Sequence, residues 1–327
     1  MKVLVCGGAG YIGSNMTALL ARAGHEPIVF DNFSKGHRGA VKGVRVVVGD
    51  LADRDLLVQT LGKLGIEAVM HFAAFIEVGE SVQEPLRYYH NNLSNTQNLL
   101  SALQETGVAK FVFSSTAAVY GMPQRVPITE EAPKEPINPY GETKLAVERM
   151  CRYQSRTGRL RFAALRYFNA CGAGDDGARG EDHRPESHLI PLIIQAAMGN
   201  RADIKIYGTD YPTPDGTCIR DYIHIDDLCR AHLLALNKLD GQAELIYNLG
   251  NGQGYSVRQV IDTVRRVSGR DFKVVEAQRR PGDPPVLTSD ATKARTELGW
   301  RPEKPELEEM VATAWKWHTE HPNGYCD

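Results

Sequence analysis

Tyr140 and Lys144 stand four residues apart in "NPYGETKLAVERM" (138–150), a stretch that reads as the opening of a helix. At that spacing two helical side chains share one face. A tyrosine with its ordinary pKa near ~10 is a poor base at neutral pH. A cation one turn away stabilises the phenolate and lowers that value, so the pair makes physical sense as an activated base. Taken alone it is more simply a surface lysine beside a half-buried tyrosine, and the rest of the chain has to decide. Just upstream, "KFVFSS" (110–115) runs into Thr116, whose hydroxyl could hold a substrate oxygen at a strand end. A cap or turn role is the ordinary alternative for such a residue.

A second pattern lies at the N-terminus. The apolar run "KVLVCG" (2–7) leads into "GGAGYIG" (7–13) and then a helical period over 12–24. Gly8, Gly10 and Gly13 satisfy GxGxxG, and Gly7, Gly10 and Gly13 satisfy the wider GxxGxxG. The spacing alone is weak, but a strand before it and a helix after it form the context of a dinucleotide site. Glycines let the backbone approach a pyrophosphate, which the helix N-terminus stabilises. Asp31 ends the second apolar run, where a carboxylate accepts bonds from ribose hydroxyls and repels a 2′-phosphate. NAD is therefore expected over NADP, with Lys35 and Arg38 near enough to soften the exclusion. Asp50 either meets the adenine side or caps a helix over 53–64.

These residues need a frame. Apolar runs at 2–7, 27–32, 44–50, 68–74, 110–115 and 161–169 alternate with helical periods at 12–24, 53–64, 86–107 and 140–157. Strands apolar throughout and separated by helices predict an α/β fold with a doubly wound, Rossmann-type parallel sheet. After residue 170 a Gly- and charge-rich segment (171–186) gives way to mixed short strands and helices. We expect residues 1–175 to form the NAD-binding domain, with a segment at about 215–240 returning to it. Residues 176–327 form a smaller mixed α/β domain for substrate.

The 327 residues are 42% hydrophobic and 24% charged, with a net charge of −2. That balance gives no reason to expect nucleic acid as a partner, and no apolar run nears the ~20 residues needed to span a bilayer. Six cysteines without metal-ligand spacing fit a reducing cytosol. No metal is expected: His183 and His188 lie in a Pro-containing loop without evident paired ligands.

Across nearly the whole chain these features resemble the extended short-chain dehydrogenase/reductase family. The resemblance is narrower still to its branch that epimerises UDP-sugars at C4. It is carried by "GGAGYIGS", "DNFSKG", "HFAA", "AVYG", "LRYFN" and above all "YGTDYPTPDGTCIRDYIH" (207–224). It implies that Tyr140 takes the C4 hydroxyl proton while tightly held NAD takes and returns a hydride. Thr116 assists, and Lys144 also binds the nicotinamide ribose. It further implies a cofactor site lined by Gly7, Gly10, Tyr11, Ile12, Gly13, Asp31, Asn32, Asp50, Leu51, Phe72, Ala73, Ala74, Asn92, Ser114, Tyr140, Lys144 and Tyr167. Asn169, His188, Leu189 and Leu287 fall by the sugar, Arg220 and Arg280 on the diphosphate, and Asp283 on the uridine ribose. A homodimer through helices matching 86–107 and 140–157 is expected.

Three departures qualify the picture. Ile76 stands where relatives carry a Lys near the cofactor phosphates, and His188 replaces a frequent Asn. Leu287 stands where strict glucose/galactose enzymes carry a bulky Tyr, which leaves room for an N-acetyl group. Dehydratases of the family follow the Thr with Asp-Glu as an extra acid/base pair. Here Ala117 and Ala118 follow Thr116, and alanines cannot move protons. A related dehydratase, decarboxylase or reductase, or a non-catalytic NAD-binding protein, remains the alternative.

Overall fold

In the computed structural model, which describes residues 1–280 and 282–326, seven strands build one parallel sheet. They are β1 (Lys2–Cys6), β2 (Glu26–Asp31), β3 (Arg45–Val48), β4 (Ala68–His71), β5 (Lys110–Thr116), β6 (Arg161–Tyr167) and β7 (Glu244–Leu249). Their spatial order is 3-2-1-4-5-6-7. The order reverses between β1 and β4, the kind of switch point at which α/β sheets place a ligand beyond the carboxyl ends of their strands.

Period-two side chains explain both faces of the sheet. Val3, Val5, Met70, Val112 and Leu165 pack on one side with α1 (Tyr11–Arg22). Leu4, Val69, Phe111, Phe113 and Phe162 pack on the other with α2 (Arg54–Leu64), α3 (Asn95–Thr106) and α4 (Pro139–Arg156). A third core joins α5 (Leu189–Ala197), α7 (Val257–Ser268) and α8 (Leu307–Glu320) through Ile193, Val264 and Met310. Between α5 and α7 in the chain, α6 (Ile225–Lys238) returns to the first side of the sheet, with Leu228 and Leu236 in its core. Among the described residues, no helix is long and apolar enough to cross a membrane.

Three expectations change. The helix expected over 86–107 is broken: Pro85–Tyr88 and α3 flank a π-helical stretch, Tyr89–Ser94. That stretch holds Asn92 almost wholly buried, its amide bonded to the backbone N–H and carbonyl of Phe75 at 2.8 and 3.0 Å. The returning segment also runs past 240, because β7 adds to the sheet edge beside β6. Finally, Asp53 rather than Asp50 caps α2, accepting the Leu56 N–H at 2.9 Å. Asp50 instead accepts from the Asn32 amide at 2.6 Å.

Candidate active site

The cofactor end is shaped by missing side chains. Gly7 has φ +74°, and a Cβ there would stand 2.5 Å from the Ala73 nitrogen. A Cβ on Gly13 would strike the Gly7 oxygen at 2.1 Å, so α1 rises directly off the turn. At Gly10 a Cβ would meet only the Gly7 oxygen, at an ordinary contact distance of 3.5 Å, so of the three this glycine is the least crowded. Gly10 is also the N-cap of α1 and brings no capping side chain. A tight turn, a bare helix start and an open middle glycine fit a pyrophosphate. Phe72 and Ala73 are drawn alongside, both N–H groups donating to the Cys6 carbonyl at 2.8 and 3.1 Å.

Asp31 lies at the tip of β2, nearly buried, its carboxylate oxygens accepting from Ala9 N–H and Phe33 N–H at 2.9 and 2.8 Å. Burial raises its pKa, and those two backbone bonds oppose the rise. The cations that could relax the exclusion of a 2′-phosphate are engaged: Lys35 donates to the Arg184 carbonyl at 3.3 Å, and Arg38 lies 4.2 Å over the Phe33 ring. The residues present fit NAD.

The chemical end assembles where β5 meets α4. Asn138 caps α4 by accepting the Gly141 N–H at 2.9 Å, and Pro139 follows it in the first turn. A Cβ at Gly141 would lie 2.6 Å from the Ala118 carbonyl oxygen. The glycine therefore lets the start of α4, with Tyr140, settle against the turn that follows Thr116. Lys144 is almost fully buried and donates to the Ser114 carbonyl at 2.9 Å, its ammonium 5.9 Å from the Tyr140 ring centre. The Ser114 hydroxyl bonds the Tyr167 hydroxyl at 2.6 Å. Tyr140, Thr116, Lys144, Ser114 and Tyr167 thus converge at the carboxyl ends of β5 and β6.

The electrostatics differ from expectation. Burial pushes the Tyr140 hydroxyl up to about 12, and the Thr116 hydroxyl only partly offsets it. Burial also brings Lys144 down to about 7, against the pull of Glu148. Lys144 does not lower the Tyr140 value in the protein alone, because burial raises the phenol and also drives Lys144 toward its neutral form, which leaves little cation beside it.

Toward the substrate side, Asn169 donates to the Asp221 carbonyl at 2.8 Å. Arg220 faces Asp283 at 3.7 Å and donates to the Pro284 carbonyl at 2.9 Å. An Arg220–Asp221 salt bridge, the bland alternative, is not what forms. The buried Asp221 carboxylate is spent on the N–H groups of Asn251, Gly252 and Ser289 and on the Ser289 hydroxyl. Leu287 pairs with Arg220 in register and packs on Val119, Tyr120 and Leu145, which links it to the Tyr140 helix. Arg280 is exposed and lies 4.0 Å over the Tyr207 ring.

Two groups escaped the sequence reading. Glu148, one turn beyond Lys144, accepts from Ser115 at 2.5 Å and from Arg166 at 2.6 and 2.9 Å. Its signal was the second i+4 step from Tyr140, one further along the face that Lys144 shares. The loop before α5 also brings Glu181 and Glu186 onto His183 and His188, which are therefore not without partners.

With this geometry in place, the comparisons are specific. The model of the NAD dependent epimerase/dehydratase family matches residues 3–250. A UDP-glucose 4-epimerase of Halalkalibacterium halodurans is 51% identical over 327 residues, covering 99% of this chain and 98% of the relative. The crystal structure of UDP-glucose 4-epimerase from Brucella ovis in complex with NAD superposes with a TM-score of 0.94 at 48% identity, covering 96% and 97% of the two chains. The UDP-Glc/GlcNAc 4-epimerase of Campylobacter jejuni gives 0.86 at 43% identity, covering 98% and 99%.

Proposed function

The chain belongs to the NAD dependent epimerase/dehydratase family, and on that premise we propose that it interconverts UDP-galactose and UDP-glucose. The observation that carries this reading is the convergence of Tyr140, Thr116 and buried Lys144 beside a glycine cradle built for a dinucleotide. NAD is held by the turn at Gly7–Gly13, by Asp31 on the ribose side, and by Lys144. When bound, it supplies a store for two electrons that accepts a hydride and gives it back.

The protein's own groups handle the proton. The Tyr140 oxygen takes the proton of the sugar C4 hydroxyl, and Thr116 holds that oxygen in line. Lys144, fixed by the Ser114 carbonyl, stabilises the phenolate whenever it carries its own proton. The resulting 4-keto sugar turns over in the site so that the opposite face of C4 meets the cofactor, and Tyr140 returns the proton to the C4 oxygen. Arg220 and Arg280 hold the diphosphate through the charge-assisted bonds that guanidinium forks make to paired oxygens. Asp283 meets the uridine ribose. Elimination of water would need further acid and base groups, and Ala117 and Ala118 supply neither.

A wider substrate range follows from Leu287. A side chain of this size beside the sugar leaves space at C2, so UDP-GalNAc and UDP-GlcNAc are also substrates. The likeness to the Campylobacter jejuni UDP-Glc/GlcNAc 4-epimerase supports this reading. A homodimer, with the exposed Leu86 and Tyr153 at the contact, and a reducing cytoplasmic setting for the five buried free thiols complete it. The test is incubation of the purified protein with UDP-galactose and no added NAD. Formation of UDP-glucose supports the reading; no product with NAD verified in the protein rejects it.

A further inference from the structure

Beyond the hydride and proton chemistry, the segment between the strand Asn169–Cys171 and α5, which includes the His188 expected beside the sugar, gathers four metal-ligating side chains within eight residues. We propose that Glu181, His183, Glu186 and His188 form a binding site for one divalent transition-metal ion of the zinc class. One donor atom from each of the four lies within 4.8 Å of the others.

The separations suit a small tetrahedral ion. Nδ1 of His188 lies 2.9 Å from Glu181 Oε1 and 3.0 Å from Glu186 Oε1. Nδ1 of His183 lies 3.2 Å from Glu181 Oε1 and 3.7 Å from Glu186 Oε2. Nitrogen and oxygen ligands about 2.0–2.1 Å from a tetrahedral zinc stand about 3.3 Å from one another. The observed distances bracket that edge. Two imidazoles and two carboxylates are a donor set suited to zinc and its neighbours rather than to calcium or magnesium.

A second observation points the same way. Nδ1 of His183 is buried and makes no well-aligned hydrogen bond, although two carboxylates face it. Both glutamates are 5% exposed, so their charge cannot be left to water. Glu186 Oε1 also accepts the Ser187 and His188 N–H groups at 2.7 and 2.8 Å, and the two imidazoles face the carboxylates from the other side. The two carboxylates would balance the charge of a divalent ion, and the two imidazoles would complete its ligand set as neutral donors. The remaining neighbours do not compete: Asp182 is taken by His37 and Arg184, while burial lowers His318 on α8. The Tyr11 ring meets His183 edge-on at 6.4 Å. A bound ion would therefore pin this loop against the first turn of α1.

The experiment is calorimetric titration of EDTA-treated, dialysed protein with zinc chloride near neutral pH. Cobalt(II) substitution reports geometry through its visible absorption. We expect about one zinc per chain and the intense visible bands of tetrahedral cobalt. His183→Gln and Glu186→Gln should each weaken binding about 10- to 100-fold. Cys326→Ser, which removes the one exposed thiol, should leave binding intact. Absence of saturable binding by the unmodified protein overturns the proposal. So does binding that Cys326→Ser abolishes, or that neither glutamine variant weakens.

Discussion

Arg166 on β6 and Glu148 on α4 form a two-pronged ion pair, with N–O distances of 2.6 and 2.9 Å and both side chains sealed from solvent. Ser115 joins through its hydroxyl, and Tyr120 links Arg166 to Asn248. Because Glu148 sits one turn beyond Lys144, the pair fixes the rotation of α4 relative to β5 and β6. It thereby sets where Tyr140 and Lys144 point.

Glu148→Gln leaves Arg166 as an uncompensated buried charge. The loss of one partner from such a pair costs about 3–5 kcal/mol. Urea unfolding should show the midpoint falling by the corresponding amount, with Glu148→Gln/Arg166→Met regaining part of it. An unchanged midpoint for the single variant would remove the ion pair from the account.

Tyr140→Phe removes the proton carrier and little else. Loss of general acid–base participation costs about 10²–10⁴ in rate. Turnover of UDP-galactose should fall within that range while the protein keeps its NAD. Turnover within a few-fold of the parent would mean that another group moves the proton.

Lys144 gives a pH dependence whose sign is fixed by burial. In the folded chain it loses its proton near about 7, and in the unfolded chain near ~10.4. Between those values the unfolded state binds the extra proton, so stability rises with pH across that window. Below it the burial cost is present in full. Lys144→Met, compared with the parent after NAD removal, should be more stable near pH 7 by about 1–4 kcal/mol. The advantage should shrink toward pH 10. A variant less stable than the parent near pH 7 would contradict the assigned shift.

Leu287→Tyr should narrow the sugar pocket. The ratio of activity on UDP-GalNAc to that on UDP-galactose should fall about tenfold or more, since crowding by a bulky side chain acts on the C2 substituent. An unchanged ratio, measured with both substrates under one set of conditions, would show that Leu287 does not set the size limit.

The alternation of strands and helices was legible because fully apolar runs between amphipathic periods have few other solutions. The cradle was legible because Gly7, Gly10 and Gly13 have a distinctive context. The π-helical turn at Asn92 was not, since a slipped hydrogen-bond ladder leaves no separate period in the sequence. The Glu148–Arg166 pair crosses from a helix to the next strand, so spacing along the chain could not join them. Glu181 and Glu186 meet the histidines only because their loop folds back. The ionisation of Tyr140 was misjudged because the lysine's charge is visible in the sequence and the depth of burial is not.

The central claim is that the hydrogen taken from C4 returns to C4 within one site. UDP-galactose carrying deuterium at C4, incubated with the purified protein in ordinary water, tests this directly. Mass spectrometry and NMR of the UDP-glucose formed should find the deuterium still at C4. Its loss to water would contradict the account.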